Sequence, residues 1–228
     1  MPKLDANSIS IVVTDPPYFL PINSYVGTRE SGYEKRSLAD TSILRCFFGQ
    51  VFAETARILK EDGTAYVFCD AQSYPIIYEA MFPHFRHVRL LIWDKEISYN
   101  GYTWRHQHEL IAWGELKESK RVPTGDGDII RCRGVLQEDR NHPAEKPVEL
   151  LEKLIIKHGR KGDLVLDPFT GSGSTAVASR HLGRNFIGFD LNPDYVKIAN
   201  QRMQEARENQ AIETFATENE EPVEVRYF

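Results

Sequence analysis

The stretch from Asp163 to Asp190 limits most severely what this chain can become. Asp163-Leu164-Val165-Leu166 is a short apolar run, Ala176 to Leu182 reads as a helix, and Asn185-Phe186-Ile187-Gly188-Phe189 is a second apolar run that stops on Asp190. Short apolar runs on either side of a helix, each bounded by turn residues, predict a βαβ unit of a parallel sheet. The turn between the first run and the helix is Asp167-Pro168-Phe169-Thr170-Gly171-Ser172-Gly173-Ser174-Thr175. Gly171 and Gly173 can take positive φ and carry no Cβ, so a ligand can approach the backbone closely there. The glycine spacing is not the dinucleotide fingerprint, and the absence of a Gly-Lys-Ser/Thr triplet excludes a phosphate loop. Asp190, at the end of the following strand, offers a carboxylate for both hydroxyls of a ribose. The unit suits a nucleoside cofactor.

A second strand-and-turn unit lies near the start. Ile9-Ser10-Ile11-Val12-Val13 is a β-branched run of the kind that forms a buried strand, and it stops at Asp15-Pro16-Pro17-Tyr18. The two prolines fix φ and bring no amide hydrogens, so carbonyls in the turn are free to accept from outside. Asp15 adds a carboxylate acceptor, and Tyr18 adds a flat face on which a planar base can stack. Acceptors beside a stacking face suit an exocyclic amine. Taken alone, the same residues also describe a proline-stabilised turn.

Strands and helices alternate along the rest of the chain, which argues for a parallel sheet with helices on both faces. Ile43, Leu44, Phe47, Phe48, Val51, Phe52, Ile58 and Leu59 follow helical spacing and predict a core-facing helix from about Asp40 to Lys60. Thr64 to Cys69 reads as a strand, Ser73 to Phe82 as a helix, and Val88 to Trp93 and Glu109 to Trp113 as a strand pair that can be antiparallel. Pro147 suits a first helical turn, with Val148, Leu151, Leu154, Ile155 and His158 on one face before Gly159. A last helix is expected from Asp194 to about Arg207, burying Tyr195, Ile198, Ala199 and Met203.

Four matches, in this order, carry a resemblance to a known family: Asp15-Pro16-Pro17-Tyr18, then Asn141-His142-Pro143-Ala144-Glu145-Lys146-Pro147, then the glycine turn, then Gly188-Phe189-Asp190 with Asp194-Tyr195. The chain resembles the β class of amino-methylating DNA methyltransferases over roughly residues 5 to 205. That resemblance implies an α/β, Rossmann-like methyltransferase fold with a mostly parallel sheet flanked by helices and a target-recognition insertion between the two motifs. It implies S-adenosyl-L-methionine as cofactor and double-stranded DNA as substrate, with the methyl group moving to a flipped base. Asp15, Pro16, Pro17 and Tyr18 would be catalytic. Phe169, Gly171, Ser172, Gly173 and Ser174 would shape the cofactor pocket, Asp167 and Lys146 would serve its amino acid end, and Asp190 its ribose. Aspartate at the first motif position resembles adenine-N6 enzymes, whereas many cytosine-N4 enzymes resemble one another with serine there. The other readings are a cytosine-N4 enzyme, an RNA base methyltransferase, and a non-catalytic cofactor-binding partner subunit. A homodimer is a further implication of the β-class resemblance.

Composition sets the setting. The chain has 228 residues, 41% hydrophobic and 27% charged, enough for one sizeable core. A single catalytic domain is expected over 1–208, followed at 209–228 by an acidic linker and a possible terminal strand. Cys46, Cys69 and Cys132 are odd in number and far apart, which suggests neither disulfides nor a zinc site. With no long apolar span and no signal peptide, a cytoplasmic protein is expected. The net charge of −5 means that any DNA footprint must be a local basic patch. Two stretches supply candidates: Phe19 to Ala39, with Arg29, Lys35 and Arg36, and about 114–141, with Lys120, Arg121, Arg131 and Arg133. The second is the expected target-recognition insertion. Arg105 belongs to Arg105-His106-Gln107-His108-Glu109, which resembles a polar segment that family members place near the DNA cleft. His106, His108 and Glu109 show no further partner at ligand spacing, so no metal is expected. Family members also carry a strand ahead of the segment matching Leu4 to Ser8. Pro222 to Phe228, an alternating run, is the expected substitute for it at the sheet edge.

Overall fold

A computed structural model describes residues 1, 3–17, 38–97, 103–117, 125–135 and 145–214, with side chains from residue 41 in the first helix and to residue 207 in the last. The elements run β1 Ile9–Thr14, α1 Leu38–Ile58, β2 Leu59–Cys69, α2 Tyr74–Met81, β3 His87–Asp94, β4 His108–Glu115, β5 Ile129–Arg131, α3 Val148–His158, β6 Leu164–Asp167, α4 Ser174–His181, β7 Asn185–Gly188 and α5 Pro193–Thr214. The strands form one seven-stranded sheet in the order β5-β3-β4-β2-β1-β6-β7. β4 is antiparallel to both of its neighbours, and every other pairing is parallel. This is the α/β sheet with helices on both faces that the strand and helix pattern predicts, and the Rossmann-like fold that the family resemblance implies.

Two apolar layers hold the sheet. All six residues of β1 are buried, as expected for a central strand with helices on both faces. On one face Leu44, Phe48 and Phe52 of α1 and Ile76, Ile77 and Met81 of α2 pack on Val12, Ala65, Val67 and Ala112. On the other, Leu150, Leu151, Leu154 and Ile155 of α3, with Ala176 and Ala178 of α4, pack on Ile11, Val13, Tyr66 and Phe68. Alternate residues of β2 thus serve opposite layers, which fixes its register against slippage by one residue.

The differences from the sequence expectation have local causes. The first helix stops at Ile58 and β2 begins at Leu59, not Thr64. Ile9 pairs with Leu59 but Ile11 with Thr64, so the polar residues between Leu59 and Thr64 bulge out of the ladder. Gly63 is required in that bulge, because a Cβ there would lie 2.8 Å from the Lys60 carbonyl oxygen. Ile43, expected on the core face, is 63% exposed, whereas Leu150, not expected there, is fully buried. Tyr195 and Ile198 are only half-buried, and Ala199, Met203 and Ala206 line the inner face of the last helix.

The expected target-recognition insertion is corrected at two places. Gly114 and Glu115 belong to β4, and Ile129–Arg131 forms the outer strand β5, parallel to β3. Trp93 Nε1 donates to the Cys132 carbonyl at 2.7 Å and ties that strand to the sheet. At the opposite side, β7 is the outermost strand among the described residues. The expected terminal strand, Pro222 to Phe228, lies outside the described residues, as do Tyr18, Arg29, Lys35, Arg36, Lys120, Arg121 and most of Asn141-His142-Pro143-Ala144-Glu145-Lys146-Pro147. No helix among the described residues is long and apolar enough to cross a membrane.

Candidate active site

β1 and β6 are adjacent and parallel, with Ile11 opposite Val165 and Val12 opposite Leu166, so Asp15 and the Asp167 turn leave the sheet side by side. β3 ends at the same edge with Asp94 and Lys95, and antiparallel β4 begins there with His108 and Glu109, which pair with Asp94 and Trp93. The carboxyl edge of a mostly parallel sheet, between strands whose connections depart to opposite faces, is where α/β folds bind ligands. A cavity of about 670 Å³ opens at this point, with Asp15, Pro16 and Pro17 on one wall and Phe169, Gly171 and Asp190 on another. That volume suits a small-molecule cofactor.

The glycine turn divides into a face for a ligand and a face for packing. Gly171 has φ +50°, and a Cβ there would meet nothing within 4 Å. Its N–H donates to Asp190 Oδ2 at 2.9 Å, while the Asn192 N–H donates to Oδ1 at 2.8 Å. Each Asp190 oxygen therefore holds one backbone amide and retains a lone pair for a further donor, such as a ribose hydroxyl. Gly173 is different. Its φ is +84°, and a Cβ would sit 2.7 Å from Ala199 Cβ, so it is needed for close approach of α5. Ser172 and Ser174 also face α5: Arg202 Nη1 donates to Ser172 Oγ at 3.0 Å and to Ser174 Oγ at 3.3 Å, and Arg202 Nη2 pairs with Glu145 at 2.7 Å. Sequence reasoning did not single out Arg202 and quoted Glu145 only as part of a family motif, since the residues they brace are far away in the chain.

Asp167 is buried, and both of its oxygens are engaged. Thr14 Oγ1 at 2.9 Å and the Phe169 N–H at 3.1 Å donate to Oδ1, and Thr175 Oγ1 at 2.7 Å donates to Oδ2. The carboxylate is the knot that ties β1, β6 and α4 together. Burial pushes its pKa up to about 6, against the pull of its three donors. A folded carboxyl that keeps its proton to about pH 6, when an unfolded one loses it near pH 4, makes the native state the stronger proton binder between those values. Stability should therefore fall as pH rises across that window, by on the order of 3 kcal/mol from this group. Denaturant titrations across the window should show this fall in the wild type and a flatter profile in Asp167→Asn. Identical slopes would refute the assignment.

Asp15 does not stand alone. Lys146, which leads into α3 and is only 8% exposed, places its ammonium directly on Asp15 Oδ2. The same ammonium lies 3.4 Å from Glu109 Oε2 and 5.0 Å from the centre of the Phe68 ring. Glu109 in turn accepts from Lys95 Nζ at 2.6 Å. Burial alone would drive the Lys146 proton off, but the carboxylates of Asp15 and Glu109 outweigh it and hold the group above the ordinary lysine range. Burial likewise opposes ionisation of Glu109, and its two lysines reverse the sign, so it stays a carboxylate. Lys146, expected at the amino acid end of a cofactor, lines the same cavity and is bound to the acid of the first motif. Glu109, weighed in the sequence only as a metal ligand, belongs to this cluster.

Basic groups from the candidate DNA footprint reach the same edge. Arg131 ends β5 and Arg133 follows it, both exposed, and Arg105 is exposed just ahead of β4. Beside Arg105, Trp104 is 87% exposed. The acidic chain thus presents arginines on the rim that also carries Asp15 and Lys95.

A Rossmann-like sheet with an acid and two prolines beside a nucleoside-sized cavity fits the class of methyltransferases that act on an amine of a nucleobase. The chain belongs to the DNA methylase family of N6/N4 methyltransferases, which it matches over residues 9–201. It is an S-adenosylmethionine-dependent DNA methyltransferase. Among its relatives, the Type II methyltransferase M2.DpnII of Streptococcus pneumoniae is 28% identical, covering 90% of this chain and 86% of its own. The DNA adenine methyltransferase YhdJ of Escherichia coli K12 is 27% identical, covering 92% and 81%. Of solved structures, the M1.HpyAVI–SAM complex superposes with a TM-score of 0.64 at 21% identity, covering 89% and 90%. The cytosine-N4-specific PvuII DNA methyltransferase superposes with a TM-score of 0.71 at 16% identity, covering 91% and 86%. These two show the shared fold.

Proposed function

We propose that this DNA methyltransferase modifies the N6 amine of an adenine that has been turned out of the duplex. The observation that carries the reading is Asp15, an aspartate at the end of β1 that opens into the same cavity as Gly171 and Asp190. A base must leave the stack for its amine to reach such a pocket. In this reading Asp15 and the Pro16 carbonyl accept the two amine hydrogens, and Tyr18 stacks on the ring. Pro17 keeps the turn rigid. Accepting both hydrogens draws the nitrogen lone pair out of conjugation with the ring and aims it along the line of transfer. S-adenosylmethionine, when bound, supplies a methyl group on a good leaving group. Asp190 holds its ribose, and Phe169, Gly171 and the turn amides border it, with the alcohols of Ser172 and Ser174 in the loop's support. Positive charge grows on the nitrogen beside Asp15, and the methylated amine then gives up one of its two hydrogens as a proton to solvent.

DNA recognition in this reading falls to the rim arginines Arg105, Arg131 and Arg133, together with Arg29, Lys35, Arg36, Lys120 and Arg121 in the two long connections. The recognition segment is narrowed to the parts of 114–141 outside β4 and β5, within one catalytic domain of about 1–208. Relatives named as Type II methyltransferases support a restriction–modification setting. A homodimer and a cytoplasmic location complete the reading, and sedimentation of the purified protein tests the first. The decisive experiment is tritium transfer from labelled S-adenosylmethionine to duplex DNA, followed by nucleoside analysis. N6-methyladenine is expected. N4-methylcytosine would move the assignment to the other amine, and no incorporation into any duplex would favour the non-catalytic partner.

A further inference from the structure

Asp15, Lys146, Glu109 and Lys95 form a row of alternating charge that runs from the cavity along the sheet edge, and its order poses a chemical problem. Methyl transfer moves positive charge from the donor to the amine nitrogen, so the acceptor side needs a negative potential. An ammonium placed directly on Asp15 cancels much of that potential. Were Lys146 the only neighbour, the reacting amine would face an almost neutral pair. Glu109 changes this. Its Oε2 lies 3.4 Å from the same ammonium, so the cation is shared by two carboxylates, and the group of three carries one net negative charge. Lys95 lies 2.6 Å from Glu109 Oε1, the oxygen other than the one nearest Lys146.

We infer that Glu109 is a positioning residue of the transfer reaction: through Lys146 it fixes the Asp15 carboxylate and preserves the negative potential that Asp15 presents to the amine. The inference rests on Asp15 being the amine acceptor. Burial makes the arrangement stiff. Lys146 is 9% exposed at its side chain, Glu109 24% and Lys95 13%. Phe68 closes over the ammonium. A lysine so enclosed has few places to put its proton donors, so both carboxylates are held to one geometry. Three places distant in sequence build the unit, namely the end of β1, the start of β4 and the segment leading into α3. Glu109 does not touch the substrate in this account.

Glu109→Gln keeps the shape and removes the charge. The expected result is a single-turnover methyl-transfer rate at least about tenfold lower, with the dissociation constants for S-adenosylmethionine and for duplex DNA within about twofold of wild type. Glu109→Asp, which restores the charge on a shorter arm, should recover part of the rate. The decisive arm is a double-mutant cycle with Lys146→Met. If Glu109 acts through Lys146, adding Glu109→Gln to Lys146→Met lowers the rate no further. Should Lys146→Met not fold alone, the double variant is compared with Lys146→Gln on the same scale. A wild-type rate in Glu109→Gln overturns the inference, as does a loss confined to DNA affinity, or rate losses that multiply in the cycle. Asp15→Asn run in parallel separates the two levels: if it is inactive while Glu109→Gln is normal, only the positioning role fails, and if Asp15→Asn is active, the acceptor role of Asp15 fails with it.

Discussion

Asp15→Asn is expected to lower the rate of methyl transfer by at least about 100-fold, the scale on which preorganised electrostatic groups act at developing charge. The amide presents the wrong partner to the amine: one of its two positions donates, and the negative charge is gone. Cofactor affinity should stay near wild type, because Asp190 and the Gly171 amide are untouched. Asparagine is a cleaner test than alanine. From the sequence alone, a strand-end carboxylate facing a cleft should be removable without harm, but here it is bonded to a buried lysine. Asp15→Ala strips Lys146 of one of its two counter-charges and should cost stability as well, up to about 3 kcal/mol. Single-turnover assays with thermal melts of both variants make the comparison. An undiminished rate in Asp15→Asn would sink the proposed role.

Asp190→Ala is expected to weaken S-adenosylmethionine binding by at least about 100-fold. Two charge-assisted hydrogen bonds to a ribose, each contributing about 1.5–3 kcal/mol, set that scale. The substitution has a second effect, since it releases the N–H groups of Gly171 and Asn192 that the carboxylate now holds. Asp190→Asn separates the two contributions, because the amide oxygen can keep one backbone donor. Calorimetry of the purified protein is the measurement. Equal affinity in wild type and Asp190→Ala would remove the ribose role and leave the residue as a brace of the glycine turn.

The ends of the site were legible because each is local. Asp15 follows an apolar β-branched run and Asp190 follows a second apolar run, so strand pattern and turn chemistry together place an acid at a strand end. The roles inside the glycine turn were less legible. Gly171 and Gly173 look alike in sequence, yet one borders open space and the other is pressed against Ala199. The same holds for Ser172 and Ser174, whose hydroxyls are claimed by Arg202 from α5. β5 was hidden because three residues in a charged stretch give no usable period. Its pairing with β3 and the hydrogen bond from Trp93 to the Cys132 carbonyl supply what the local sequence lacks.

The sequence by itself determined the architecture, the order of the two motifs and the chemistry of their turns, since these depend on neighbours a few residues apart. Only the tertiary structure decided what surrounds Asp15. Lys146 is 131 positions away in the chain, and no periodicity or motif links it to that acid. The two meet because β1 ends where the segment leading into α3 crosses it, while antiparallel β4 delivers Glu109 to the same edge. Charge pairing across such separations is set by strand order and direction, which a linear reading cannot supply.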